Sequence, residues 1–191
     1  MNAAIRQCGE CTACCRLLPV AELGKAAGVR CDHQRHRKGC AAYAGRPRSC
    51  KAWSCLWLAD PATEALRRPD RSGYVLDCMT DFTRARNELT GAETAFEVVQ
   101  IWANSRGVTL EAGVIPYLEG RHAGAVIRSD EPGAVVMVPP WVSPTGAWAM
   151  SQGNVCEPQH TAGEVERALG RRARRIRLAK GAAEKSTDTP C

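Results

Sequence analysis

Eight cysteines fall between Cys8 and Cys55, and no other feature of the chain limits its fold so strongly. Only Cys78, Cys156 and Cys191 of the 11 cysteines lie beyond that stretch of the 191 residues. The segment is poor in periodic apolar runs, its best helical candidate being residues 20–27. It therefore needs a clamp in addition to a hydrophobic core. The chain reaches Cys8 without an apolar leader, so no signal peptide is expected. No run approaches the roughly 20 apolar residues that cross a bilayer. The location these features predict is cytoplasmic, and in a reducing compartment clustered cysteines act as metal ligands in preference to disulfides.

The opening array reads Cys8-Gly9-Glu10-Cys11-Thr12-Ala13-Cys14-Cys15, and Cys31, Cys40, Cys50 and Cys55 follow. Two-residue spacers let the chain fold back so that successive sulfurs converge on one ion. Gly9 gives the first spacer its backbone freedom. A thiolate-rich donor set selects zinc, iron–sulfur or copper(I) and rejects hard cations. All eight cysteines are candidate ligands. Cys14 and Cys15 are adjacent, so they either serve two centres or divide between ligation and packing. Redox-active disulfides and buried inert thiols are the rival readings of the same residues.

The second half of the pattern is Gly39-Cys40-Ala41-Ala42-Tyr43, Arg46-Pro47, Cys50-Lys51 and Trp53-Ser54-Cys55. With the opening array, Lys25 and Cys31-Asp32-His33, it resembles the CxxCxxCC, or YkgJ-type, cysteine cluster family, described as zinc- or iron-chelating. The resemblance covers residues 8–58 and departs at Trp53, where a phenylalanine-like aromatic is commoner. It implies a metal-binding protein and does not specify a reaction. A protein-modifying enzyme, flagellin lysine methylase, carries a similar array, which suggests an accessory role in such chemistry. Whether the chain is itself an enzyme stays open, since no nucleotide-binding loop or nucleophile motif is present. The spacing does not match a two-cluster ferredoxin or a zinc ribbon, and C-x2-C-x2-C suits the corner of a cubane. An iron–sulfur cluster is therefore placed ahead of zinc. A zinc-stabilised interaction module without catalysis is the alternative.

Net charge is +6, but residues 1–60 hold ten Lys/Arg against four Asp/Glu. Part of that surplus is expected to offset the negative charge of thiolate sites, which weakens a reading of +6 as a signature of nucleic-acid binding. His33 and His36 are either nitrogen ligands or part of a solvated basic loop. Tyr43, Arg46 and Pro47 suit a structural turn, and Trp53 and Trp57 a cover over the site. Residues 67–71 read as a charged turn, and Asp77 and Asp81 beside Cys78 as solvent-facing acids.

Three segments follow: a cysteine-rich head (1–59), a small α+β segment (60–160) expected to share one core with it, and a basic tail (161–191). Strands are predicted at residues 74–80, 97–103, 125–128 and 134–138. A helix is predicted after Thr109, and loop over 141–160. Thr161 and Glu164 form a capping box before a C-terminal helix with an apolar stripe of Val165, Leu169, Ala173 and Ile176. Arginines cover the rest of that helix. It reads as docked and solvated, with nucleic-acid contact the less favoured role and no membrane insertion. An unidentified protein partner is expected. The fold class expected is α+β: a metal-organised head on a short, mainly antiparallel sheet with one or two helices.

Overall fold

A computed structural model describes residues 6–86 and 91–153, apart from the side chains of residues 78–81, 85, 86, 152 and 153. The predicted C-terminal helix, Cys156 and Cys191 lie outside the described residues, as do the side chains of Cys78 and Asp81. The described residues lie within one unit, Met1–Val155.

A five-stranded sheet organises this unit. Its strands are β3 (Tyr74–Arg86), β4 (Glu93–Ala103), β5 (Gly124–Arg128), β6 (Ala134–Val138) and β7 (Ala149–Gly153), in sequential order. Every neighbouring pair is antiparallel except β4 and β5, which run parallel across a connection containing α5 (Val114–Gly120). The class is therefore α+β with a mainly antiparallel sheet.

Alternation along the strands sorts the core. Leu76, Val99, Ile101, Ala125 and Ile127 line one face, where Val114 and Leu118 of α5 pack with Leu66. Pro116 is tolerated because it sits in the first turn of α5, where no intrahelical bond needs its missing N–H. The helix begins at Val114, later than the cap predicted at Thr109.

Val75 belongs to a separate cluster with Leu17 and Cys55, which Trp53 and Trp102 flank. Here the cysteine-rich head meets the sheet. The head is built of short pieces: α1 (Ala13–Leu17), a hairpin of β1 (Gln34–Arg35) and β2 (Gly39–Cys40), α2 (Arg48–Ala52) and α3 (Leu56–Ala59). Another short helix, α4 (Pro69–Ser72), leads into β3. Cys55 forms an isolated antiparallel bridge with Asp77, so the head pairs with the backbone of edge strand β3. The β3–β4 register shifts between Leu76 and Thr80, the kind of bulge that re-aims side chains.

Two expectations need correction. Residues 20–27 form no α-helix but a single 3-10 turn at Ala21–Leu23, closed by a bridge between Val20 and Lys25. Gly24 takes a left-handed conformation with φ 57°, which ends the turn at once. Residues 141–160 are not all loop, since β7 adds to the sheet beside β6 in regular register. No helix among the described residues is long and apolar enough to cross a membrane.

Candidate metal centre

The opening array begins with a tight backbone turn. The Cys11 N–H donates to the Cys8 carbonyl at 2.9 Å, with Gly9 left-handed at φ 51° inside the turn. Cys14 and Cys15 follow on α1. The chain then doubles back, and the Cys31 N–H donates to the Cys15 carbonyl at 2.9 Å.

Lys25 is the pivot of that return. Its side chain is buried, and its ammonium donates to the carbonyls of Arg16 (3.1 Å), Leu18 and Ala26 (3.1 Å). An ammonium has three hydrogens, and these three acceptors match them. The thiols of Cys14, Cys15, Cys31 and Cys50 all lie near enough for their charges to favour the ammonium, although burial, the larger effect, lowers its pKa.

The remaining cysteines arrive on three further supports. The β1–β2 hairpin brings Cys40 in and rests on the opening loop: Gln34 Nε2 donates to Thr12 Oγ1 at 2.7 Å. Gly39 lies so close that an added Cβ would sit 2.9 Å from the Gly9 carbonyl oxygen. Glu22 accepts from the Ser49 N–H (3.2 Å) and from the Ser49 hydroxyl, which fixes α2 and hence Cys50. Cys55 stands at the start of α3, buried against Val75.

None of these eight cysteines is in a disulfide. Burial raises the pKa values of Cys8, Cys11 and Cys50, and holds the Cys55 thiol up at about 12. Cys14 donates to Cys15, which pushes Cys14 up and draws Cys15 down to about 7. The charges of Lys25 and Arg46 lower Cys15 further. Neighbouring thiols resist one another's ionisation: Cys8 and Cys11 raise Cys55, whereas Cys15 and Cys31 raise Cys50. Grouped thiols that hold their protons in this way lose them to a bound soft cation.

The donor set suits such a cation, and one orphaned atom points the same way. Arg46 stacks on Tyr43 with its guanidinium 4.0 Å from the ring centre, and its Nε is buried without a hydrogen-bond partner. The same guanidinium lowers the pKa values of Cys8 and Cys15. A cationic side chain near thiolates is a common outer support of a thiolate-held metal. The thiols are gathered but not preassembled. Among the described residues, no three His, Cys, Asp or Glu side chains already form a group that could hold a metal ion.

The other residues singled out from the sequence divide clearly. His33 and His36 are exposed on the hairpin side of the head. Arg67 pairs with Glu111 at 3.0 Å and Arg68 with Asp70 at 2.6 Å, as a charge-laced turn would. Trp57 donates to the Leu66 carbonyl at 3.0 Å and lies beneath the Arg6 guanidinium.

Asp77 departs from expectation. It is only 6% exposed and accepts from the Trp53 indole at 2.7 Å and the Trp102 indole at 3.1 Å. No spacing rule points to this contact. The nearest signal is that two tryptophans, each with one N–H to satisfy when buried, flank a strand bearing a lone acid.

No family model, curated protein or solved structure matches this chain. The resemblance to the CxxCxxCC family rests on the motif residues themselves.

Proposed function

We propose that this chain is a metal-binding protein of the CxxCxxCC type, whose head holds an iron–sulfur cluster or zinc through cysteine thiolates. Ligands would come from Cys8, Cys11, Cys14, Cys15, Cys31, Cys40, Cys50 and Cys55. The observation that supports this most is the gathering of thiols from both halves of the motif around two cationic side chains, Lys25 and Arg46.

An iron–sulfur cluster would supply one-electron redox chemistry, and zinc would supply a fixed structural clamp. The chain's own residues do the rest. Lys25, tied to three carbonyls, holds a positive charge beside Cys15, Cys31 and Cys50 and offsets thiolate charge there. Arg46 presents an unused N–H within electrostatic reach of Cys8 and Cys15. Trp53 and Trp57 shield Cys55 from water on the sheet side. Of the two metals, the cubane-like spacing of the opening array keeps iron–sulfur ahead.

A second reading is a zinc-stabilised interaction module without chemistry of its own. The bridge between Cys55 and Asp77 favours it, because a metal there would lock the head to the sheet edge.

Thiol accessibility tests the common claim. Native protein, prepared without oxygen, is titrated with a thiol reagent before and after treatment with a strong chelator. The proposal expects most of the eight thiols to be protected at first and exposed afterwards. Equal reactivity in both samples would overturn it. A visible absorption band that bleaches with reductant separates iron–sulfur from colourless zinc.

A further inference from the structure

The β1–β2 hairpin gathers much of the positive charge of the head. Residues 23–59 contain one acid, Asp32, against eight Lys/Arg. Four of those bases stand together. Arg35, Arg37 and Lys38 lie on the hairpin, and the Arg30 guanidinium reaches it by donating to the Gln34 carbonyl at 3.2 Å. All four are exposed, as are His33 and His36.

Elsewhere in the fold, arginines find carboxylates. Arg67, Arg68, Arg106 and Arg121 each hold one at 3.0 Å or less. Arg30, Arg35, Arg37 and Lys38 hold none among the described residues. The thiols do not account for these charges either. Lys25 and Arg46 are the cations beside Cys15, whereas charges exposed on the hairpin are screened by solvent.

The hairpin is fixed before any partner arrives. The Ala41 N–H donates to the His33 carbonyl at 2.7 Å, and the Lys38 N–H to the Arg35 carbonyl at 3.0 Å. Gln34 and Gly39 fasten it to the opening loop. A prong held in this way loses little freedom on binding. Arg37 sits in its turn with φ 53°, a left-handed conformation that favours glycine over any residue with a Cβ. The turn therefore carries a charge where its backbone alone favours glycine.

We propose that this hairpin is the docking prong for a protein partner with a carboxylate-rich face. Guanidinium forks match carboxylates with two parallel hydrogen bonds each. Other polyanions fit less well. Single-stranded nucleic acid asks for aromatic platforms, and Tyr43, the exposed aromatic nearest in sequence, already has Arg46 stacked on its ring. A duplex groove takes a helix or a ribbon longer than strands of two residues. A membrane asks for apolar anchors beside the charge, and residues 33–39 contain no apolar side chain. Because Gly39 presses on Gly9, a partner held here lies beside the opening cysteine turn. That the partner serves a metal centre rests on the metal-binding reading above, whereas the docking stands on the hairpin alone.

Fluorescein-labelled polyglutamate is the probe, titrated into full-length, reduced, metal-loaded protein at low salt and read by anisotropy. Arg35→Glu/Arg37→Glu/Lys38→Glu is expected to weaken binding about tenfold or more, since three attractive contacts become repulsive. The same charge change in the basic tail, Arg171→Glu/Arg172→Glu/Arg174→Glu, is expected to weaken it about twofold at most, through net charge alone. Arg37→Gly is expected to keep or raise the melting temperature and to weaken binding about threefold, since glycine suits the backbone and only the charge is lost. Equal losses from hairpin and tail, unchanged affinity in Arg37→Gly, or no peptide binding at low salt would overturn the docking inference. So would tighter, hairpin-dependent binding of a single-stranded RNA of equal charge or of phosphatidylserine vesicles. Protein that takes up no metal yet binds the peptide through the hairpin would overturn only the metal-binding reading. Metal-loaded protein that does not bind the peptide would overturn only the docking.

Discussion

The indole of Trp53 donates to the carboxylate of Asp77 across 2.7 Å, joining the last turn before Cys55 to the edge strand of the sheet. The same carboxylate accepts from Trp102 on β4, so one buried acid holds a tryptophan of the head and a tryptophan of the sheet. The bridge between Cys55 and Asp77 adds a backbone link at the same point.

Removing this acid leaves two indole donors unsatisfied. Asp77→Ala is expected to destabilise the protein by about 2–4 kcal/mol, since each buried group left without its partner costs about 1–3 kcal/mol. Trp53→Phe loses one donor and some packing, and is expected to cost less. Urea unfolding followed by circular dichroism measures both. A loss below about 0.5 kcal/mol for Asp77→Ala would show that the head does not depend on this contact.

Lys25 makes a comparable prediction in the head itself. Lys25→Met keeps the length of the side chain but strands the carbonyls of Arg16, Leu18 and Ala26, and removes the charge beside Cys15. A loss of about 2–4 kcal/mol is expected. Metal affinity should fall with it, measured by competition with a chromophoric chelator. Unchanged affinity would remove Lys25 from the account of the site.

Gly39 gives a local test of how the hairpin meets the opening loop. It has φ 79°, and a Cβ there would press on the Gly9 carbonyl oxygen. Gly39→Ala is expected to cost about 1–3 kcal/mol through strain and displaced backbone. It should also loosen the protection of Cys8 in a metal-loaded sample, read by alkylation. An unaltered alkylation pattern would separate the hairpin from the site.

The thiols of metal-free protein should differ in reactivity in a predictable order. Only the thiolate attacks an alkylating reagent, so the rate rises as pH climbs through each thiol's pKa. Cys15, drawn down to about 7 by Cys14, Lys25 and Arg46, should react first and reach half its limiting rate near that pH. Cys55, held up at about 12 by burial, and Cys14, raised by its bond to Cys15, should react much later. Peptide mapping after brief iodoacetamide exposure between pH 6 and 9 reads this order, and early labelling of Cys55 would contradict it.

Much of the sheet was legible in the sequence, for physical reasons. Residues 125–128 and 134–138 are short apolar runs divided by Asp130-Glu131-Pro132-Gly133, and they are β5 and β6 joined by a tight turn. The 3-10 turn was not legible as such, because residues 20–27 have a helical pattern that Gly24 and the commitment of Lys25 to three carbonyls override. Strand β7 was hidden by the Pro and Gly around it, and an edge strand needs no continuous apolar run.

The candidate site shows the same division. The cysteines announce themselves by spacing, whereas Arg46 reads from the sequence as part of a structural turn and its place near Cys8 and Cys15 comes only from the fold. The burial of Asp77 is not announced either, because it depends on which face β3 turns toward the head after its bulge.

Elemental analysis of protein purified without oxygen, normalised to chain concentration on the same sample, tests the central claim most directly. The account predicts iron with matching sulfide, or zinc, in stoichiometric amount, lost together with head stability when the metal is removed. Protein that holds none of these metals, takes none up on reconstitution and keeps the same melting temperature with and without chelator would contradict it.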